Sequence, residues 1–146
     1  MKTRVDVMHG VNLDLLGSRD PQHYGTFTLS ELELAIKRFA RELELDVTFF
    51  QSNHEGEFVE HLHRWSEICD GAIVNAGAWT HYSYAIRDAL ELSGVPAVEV
   101  HISDVAKREE WRRHSVFDGV VIGVVAGKGA DGYRDALEML KREFQD

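Results

Sequence analysis

Apolar positions along the chain recur with two periods, and the two kinds of stretch alternate. Short continuous apolar runs stand at residues 4–8 (RVDVM), 46–50 (DVTFF), 72–74 (AIV), 97–101 (AVEVH) and 119–125 (GVVIGVV). Runs of this length, bounded by turn residues, predict buried strands. Between them apolar residues return every three or four positions. One set is Leu29, Leu32, Ile36, Phe39 and Leu43; the next is Phe58, Leu62, Trp65 and Ile68. Ala85, Ile86, Ala89 and Leu90 form a third, and Tyr133, Leu137, Leu140 and Phe144 a fourth. Each spacing predicts a helix with one apolar stripe. Thr28 and Glu31 predict a capping box before the first of these helices, and Gly94 ends the helix over residues 83–92. Ser103 or Asp104 is placed to cap a short charged helix over AKREEWRRH.

Strands alternating with helices predict an α/β fold: a flavodoxin-like doubly wound five-stranded parallel sheet, order 2-1-3-4-5, with helices on both faces. A chain of 146 residues has room for one such domain, residues 1–146. Its formal charge of −9 argues against nucleic acid as a partner, since phosphate neutralisation needs clustered Lys and Arg. Any small anion must then be held by local arginines. Cys69 is the single cysteine, which excludes an internal disulfide and a Cys-based zinc site. With no signal-like N-terminus and no long apolar run, no membrane partner is expected and the cytoplasm is the default location.

Ligands of parallel sheets bind beyond the carboxyl ends of the strands, and that rim gathers Asn75, His81, His101 and Ser103. Glu99 and His101 are two apart on a strand, so they share a face. A carboxylate beside an imidazole fixes its tautomer and favours the cation, which makes a proton donor. His61 and His63 are also two apart, but on a helix, where they diverge and are expected to be solvated. Arg19 and Tyr24 lie on the long first loop, residues 9–27. A tyrosine is a poor base unless a cation stabilises phenolate, and a guanidinium at ~4 Å contributes about 4 kcal/mol at an effective dielectric of ~20. Asn75 is an uncharged donor suited to a carbonyl or enolate oxygen. The backbone N–H groups after His101 can form a small anion nest, and Arg108 and Arg112, four apart, would share one helix face. Taken alone, each of these features has a plain structural alternative: a turn residue, a loop pair, a solvated helix. No GxxxxGK[ST] or GxGxxG fingerprint occurs, and a phosphoacceptor receiver is disfavoured because Asn75, not Asp, follows the third strand.

Several ordered motifs together carry more than any pair: NLDLLGSRDPQHYG, FFQSNHEGE, VNAGAWTHYSYAIRDAL, VPAVEVHISD and REEWRRHS. With them the chain resembles the type II 3-dehydroquinate dehydratases over nearly its whole length. The resemblance implies a carbon–oxygen lyase that converts 3-dehydroquinate to 3-dehydroshikimate through an enolate, without metal or cofactor. It implies Tyr24 as base, Arg19 as its activator, Asn12 as an ordering group, and His101, oriented by Glu99, as acid. Asn75, His81, Arg112 and the amides of Ile102 and Ser103 would bind substrate, with Arg108 in support. Asp88 would reach a neighbouring subunit's site, because the family forms trimers assembled into dodecamers. The step serves both the shikimate pathway to aromatic amino acids and quinate breakdown.

The chain departs from the family's usual pattern at His9, Val11 and Asp14, where Asn, Pro and Asn are usual, and at Ala76 and Trp79. Loss of two prolines is expected to loosen the backbone, and Asp14 to oppose the effect of Arg19 on Tyr24. The alternative function is a catalytically weak paralogue that survives as a polyol-carboxylate binding or scaffold protein.

Overall fold

In β1 (Arg4–His9), Val5 and Val7 turn to one side of the sheet and Asp6 and Met8 to the other, and all four are buried. That period-two pattern is why helices cover both faces. The computed structural model describes residues 1–146, with further strands β2 (Asp46–Gln51), β3 (Gly71–Asn75), β4 (Ala97–His101) and β5 (Gly123–Ala126). All neighbours pair in parallel in the order β2-β1-β3-β4-β5, as the sequence predicts.

Six helices join them: α1 (Pro21–Tyr24), α2 (Leu29–Glu42), α3 (Glu55–Leu62), α4 (Trp65–Ile68), α5 (Tyr84–Ser93) and α6 (Asp131–Gln145). Leu32, Ile36 and Ala40 of α2 and Tyr133, Ala136, Leu137 and Leu140 of α6 pack on Val5, Val7, Ile73, Val98 and Val100. Phe58, Leu62 and Trp65, with Ile86, Ala89 and Leu90 of α5, cover Met8, Ala72, Val74 and Ala97. Each fully buried large side chain contributes about 1.5–3 kcal/mol. The capping box forms: Thr28 Oγ1 accepts from the Glu31 N–H at 3.2 Å, and Glu31 Oε1 accepts from the Thr28 N–H at 3.0 Å. Gly94 ends α5 at φ 66°, in the left-handed region that favours glycine. No helix is long and apolar enough to cross a membrane.

Several expectations are corrected. AKREEWRRH is not a helix but two 3-10 turns, Val105–Lys107 and Glu110–Arg113, and neither Ser103 nor Asp104 caps one by its side chain. The helix expected through Phe58 and Ile68 breaks into α3 and α4. β5 begins only at Gly123, and its Val124 is 54% exposed, so this edge is uncovered on one face. Ala85 lies on the exposed side of α5. His61 is not a free surface group. Its Nε2 lies 2.8 Å from Asp6 Oδ2, and its ring stacks on Phe50 at 4.0 Å. The reason is a buried charge in mid-strand: Asp6 also accepts from Trp65 Nε1 at 2.9 Å and Thr48 Oγ1 at 2.7 Å.

Candidate active site

The carboxyl ends of β1, β3 and β4 open into a small cleft that is continuous with solvent. The ends of β1 and β3 approach so closely that a Cβ at Gly10 would meet the Ala76 carbonyl oxygen at 2.3 Å. The Gly10 N–H donates to Asn75 O at 2.8 Å, and Gln51 Nε2 donates to Gly10 O at 3.2 Å. The two positions lacking the usual prolines therefore flank backbone that hydrogen bonds already tie down.

Tyr24, at the end of α1 and buried, lines this cleft. Its hydroxyl oxygen accepts from Arg19 Nη2 at 2.9 Å and from Arg108 Nη1 at 2.8 Å. Arg19 also lays its guanidinium over the phenol ring, 3.8 Å from the centroid. Burial lowers the Arg19 pKa, though a guanidinium stays charged at any ordinary pH. Arg108 donates to Ser103 Oγ as well, at 3.2 Å. Its Nε is buried without a hydrogen bond, the Glu109 carboxylate standing at the ion-pair distance of 3.6 Å. Two guanidinium donors thus converge on one phenol oxygen.

His101 ends β4 and lines the same cleft. Its Nε2 lies 2.5 Å from Glu99 Oε2, and Glu99 Oε1 accepts from Ser115 Oγ at 2.8 Å. Glu99 is 1% exposed and stands behind the histidine rather than in the cleft. With Nε2 so engaged, Nδ1 is the ring nitrogen left free of protein. His81 stacks on His101 with centroids 6.2 Å apart. Its Nδ1 bonds the His114 carbonyl at 2.6 Å, which leaves Nε2 as an acceptor; burial holds its pKa below the usual imidazole range.

Asn12, Asn75, Ile102, Ser103 and Arg112 line the same cleft. Asn12 takes φ 70°, which asparagine tolerates, and its N–H donates to Asn53 Oδ1 at 2.8 Å. The carbonyls of Ile102 and Ser103 accept from Gly129 and Gly127, while their own N–H groups donate to no protein acceptor. Arg108 and Arg112 reach the cleft through the 3-10 turns, not through a shared helix face. Asp88 does not: it is exposed on α5, outside this cleft. Asp14 lies outside the cleft too, accepting from Asn53 Nδ2 at 3.2 Å.

The site also draws on residues that sequence reasoning passed over. Ser115 and His114 sit in the REEWRRHS motif, whose position after the arginines was the only signal of their part. Tyr133 reads as core from its spacing, yet its hydroxyl meets His9 Nε2 at 2.8 Å and Asn75 Nδ2 at 3.2 Å. Burial lowers the His9 pKa to about 4 and pushes the Tyr133 hydroxyl well above the ordinary phenol range.

A parallel α/β sheet whose rim holds, in one cleft, a tyrosine bonded by two guanidiniums and a histidine paired with a carboxylate has groups suited to acid–base chemistry on a small polar ligand. The chain belongs to the class II dehydroquinases: the family model described as Dehydroquinase class II matches residues 3–141. It is 50% identical over 135 residues to the 3-dehydroquinate dehydratase of Syntrophotalea carbinolica, covering 92% of this chain and 91% of that one. It is 48% identical over 143 residues to that of Thermotoga maritima, covering 98% of each. Among solved structures, the type II dehydroquinase from Butyrivibrio crossotus superposes with a TM-score of 0.91 at 40% identity, over 95% of this chain and 97% of that one. A 3-dehydroquinate dehydratase-like protein from Bifidobacterium longum superposes with a TM-score of 0.73 at 26% identity, over 99% of each chain.

Proposed function

We propose that this chain dehydrates 3-dehydroquinate to 3-dehydroshikimate, with Tyr24 as base and His101 as acid. The Tyr24 oxygen, stabilised as phenolate by Arg19 and Arg108, removes a proton from C2 and leaves an enolate. The electron pair then forms the C1–C2 double bond as the C1 hydroxyl departs, taking a proton from His101 to leave as water. Glu99 holds the imidazole ring and stabilises its charged form. The unpaired amides of Ile102 and Ser103 take the substrate carboxylate, an arrangement suited to an anion in a protein of net negative charge. His81 and Arg112 hold ring hydroxyls, while Asn12 and Asn75 order the enolate and its neighbouring water.

The observation that carries the reading is the pair of guanidinium donors on Tyr24 in the same cleft as His101. The reading places the chain in the shikimate pathway, in quinate breakdown, or in both. Asp88, exposed and outside its own chain's cleft, fits a role at a neighbour's site in a trimer-based dodecamer, to be tested by sedimentation.

Mixing the protein with 3-dehydroquinate should produce the ultraviolet absorbance of a conjugated enone, and Tyr24→Phe should lower the rate by about 10²–10⁴-fold with the fold intact. Borohydride added with substrate should not inactivate the protein, since no lysine lines the cleft to form a Schiff base. A Tyr24→Phe variant that keeps most of its turnover would remove the base assignment.

A further inference from the structure

Asn75 closes β3 and is 4% exposed, and two groups contact its amide, one of them held in turn by a third. Its Oδ1 accepts from the Gly77 N–H at 3.3 Å. Its Nδ2 donates to the Tyr133 hydroxyl at 3.2 Å, and His9 Nε2 lies 2.8 Å from that same hydroxyl. Tyr133 is fully buried near the start of α6, and His9 fully buried at the end of β1.

A phenol hydroxyl carries one proton, so donor and acceptor roles along this column are not free. An amide nitrogen can only donate, so the Tyr133 oxygen accepts from Asn75. The Tyr133 proton must then go to His9 Nε2, which makes that nitrogen the acceptor and places the imidazole proton on Nδ1. His9 Nδ1 is buried with no hydrogen-bond partner. A leucine or methionine would fill this space without burying an unmatched polar atom, so packing alone does not account for an imidazole here. What the imidazole adds is the acceptor that orients the Tyr133 hydroxyl. If Nε2 donated instead, the phenol oxygen would accept from both neighbours and its own buried proton would have no acceptor.

We propose that Tyr133 and His9, neither of which lines the cleft, are positioning residues that hold the Asn75 amide with a nitrogen hydrogen turned to the reacting centre. One Nδ2 hydrogen is used by Tyr133 and Oδ1 is turned to the Gly77 backbone, so the second Nδ2 hydrogen is what Asn75 presents to the cleft. A donor there suits the enolate oxygen or a water beside it; a flipped amide would present a lone pair to negative charge. The inference rests on the dehydratase reading and adds the direction in which Asn75 must face.

The test compares turnover of 3-dehydroquinate by the unaltered chain and by Tyr133→Phe, His9→Leu, His9→Gln, Asn75→Ala and the Asn75→Ala/Tyr133→Phe pair, with circular dichroism to establish folding. Tyr133→Phe and His9→Leu should each lower kcat/KM about tenfold, and Tyr133→Phe should change it less than about twofold once Asn75 is Ala. His9→Gln, whose amide oxygen can take the Tyr133 proton, should recover most of the loss seen in His9→Leu. Unchanged turnover in folded Tyr133→Phe, or the same loss with and without Asn75, overturns the proposal. If Tyr133→Phe does not fold, the His9 pair decides: equal loss in Leu and Gln overturns it. Independently of turnover, the side-chain amide resonances of Asn75 in nitrogen-15-labelled protein should move in His9→Leu and return in His9→Gln. Amide signals that do not move sink the column, whereas an unaltered chain inert toward 3-dehydroquinate sinks the dehydratase reading instead.

Discussion

Arg108 donates to the hydroxyl of Tyr24 from 84 residues away, at 2.8 Å, the same distance range as Arg19 only five residues from it. One guanidinium is supplied by the loop that carries the tyrosine, the other by the turns that follow β4. Two guanidiniums, not Arg19 alone, therefore reach the phenol, and Arg108 touches it directly.

Removing either arginine withdraws a charged donor from the oxygen that bears negative charge in the proposed reaction. Arg19→Ala and Arg108→Ala should each lower kcat by about 10²-fold. Arg108→Ala carries the added loss of the Ser103 contact. Initial rates at saturating substrate check this, and a variant within twofold of the parent would show that its guanidinium is dispensable.

In the proposed reaction Glu99 acts only through His101, its partner at 2.5 Å. Glu99→Gln keeps the shape but removes the carboxylate charge beside that ring, so kcat should fall by about 10–100-fold while KM stays nearly constant. A KM that rises in step with any loss would mean that Glu99 shapes binding instead.

His9 gives stability a pH dependence with a defined sign. Its imidazole binds a proton only near pH 4 when folded, against about 6.5 when unfolded, so protons favour the unfolded chain between these values. Stability should therefore fall as pH drops from about 6.5 to about 4, by about 3 kcal/mol from this group, and flatten in its contribution below. Urea melts across this range, compared with His9→Gln, isolate the term. Parallel curves for the two proteins would show that His9 does not titrate in this way.

The Asp6 cluster makes a separate prediction on the far side of the sheet. His61→Ala should lower stability by about 1–3 kcal/mol, because it removes one of three donors from a buried carboxylate, while leaving kcat unchanged. Denaturant midpoints and initial rates measure the two quantities on the same preparation.

The elements with strong periodicity were legible in the sequence: the strands, the capping box of α2 and the glycine stop of α5 follow from local rules, while the strand order came from the usual layout of a doubly wound sheet. Legible too was the gathering of Asn75, His81, His101 and Ser103, because strand ends in a parallel sheet converge. The turns at residues 105–113 were not legible. Their charged composition fits an exposed helix, yet Arg108 and Arg112 are drawn inward to the cleft, and a cleft formed by four separate segments leaves no local signal. His61 and Tyr133 were missed for a related reason. Each satisfies the helical pattern around it, while its polar atom answers to a partner on a distant strand, Asp6 in one case and His9 with Asn75 in the other.

The bridge across Tyr24 ties an early loop to a late one. A refolding chain that has built its sheet but not yet docked residues 105–113 holds only half of that electrostatic clamp. Regained turnover should thus lag behind regained ellipticity, and the interval between them times the arrival of the second arginine.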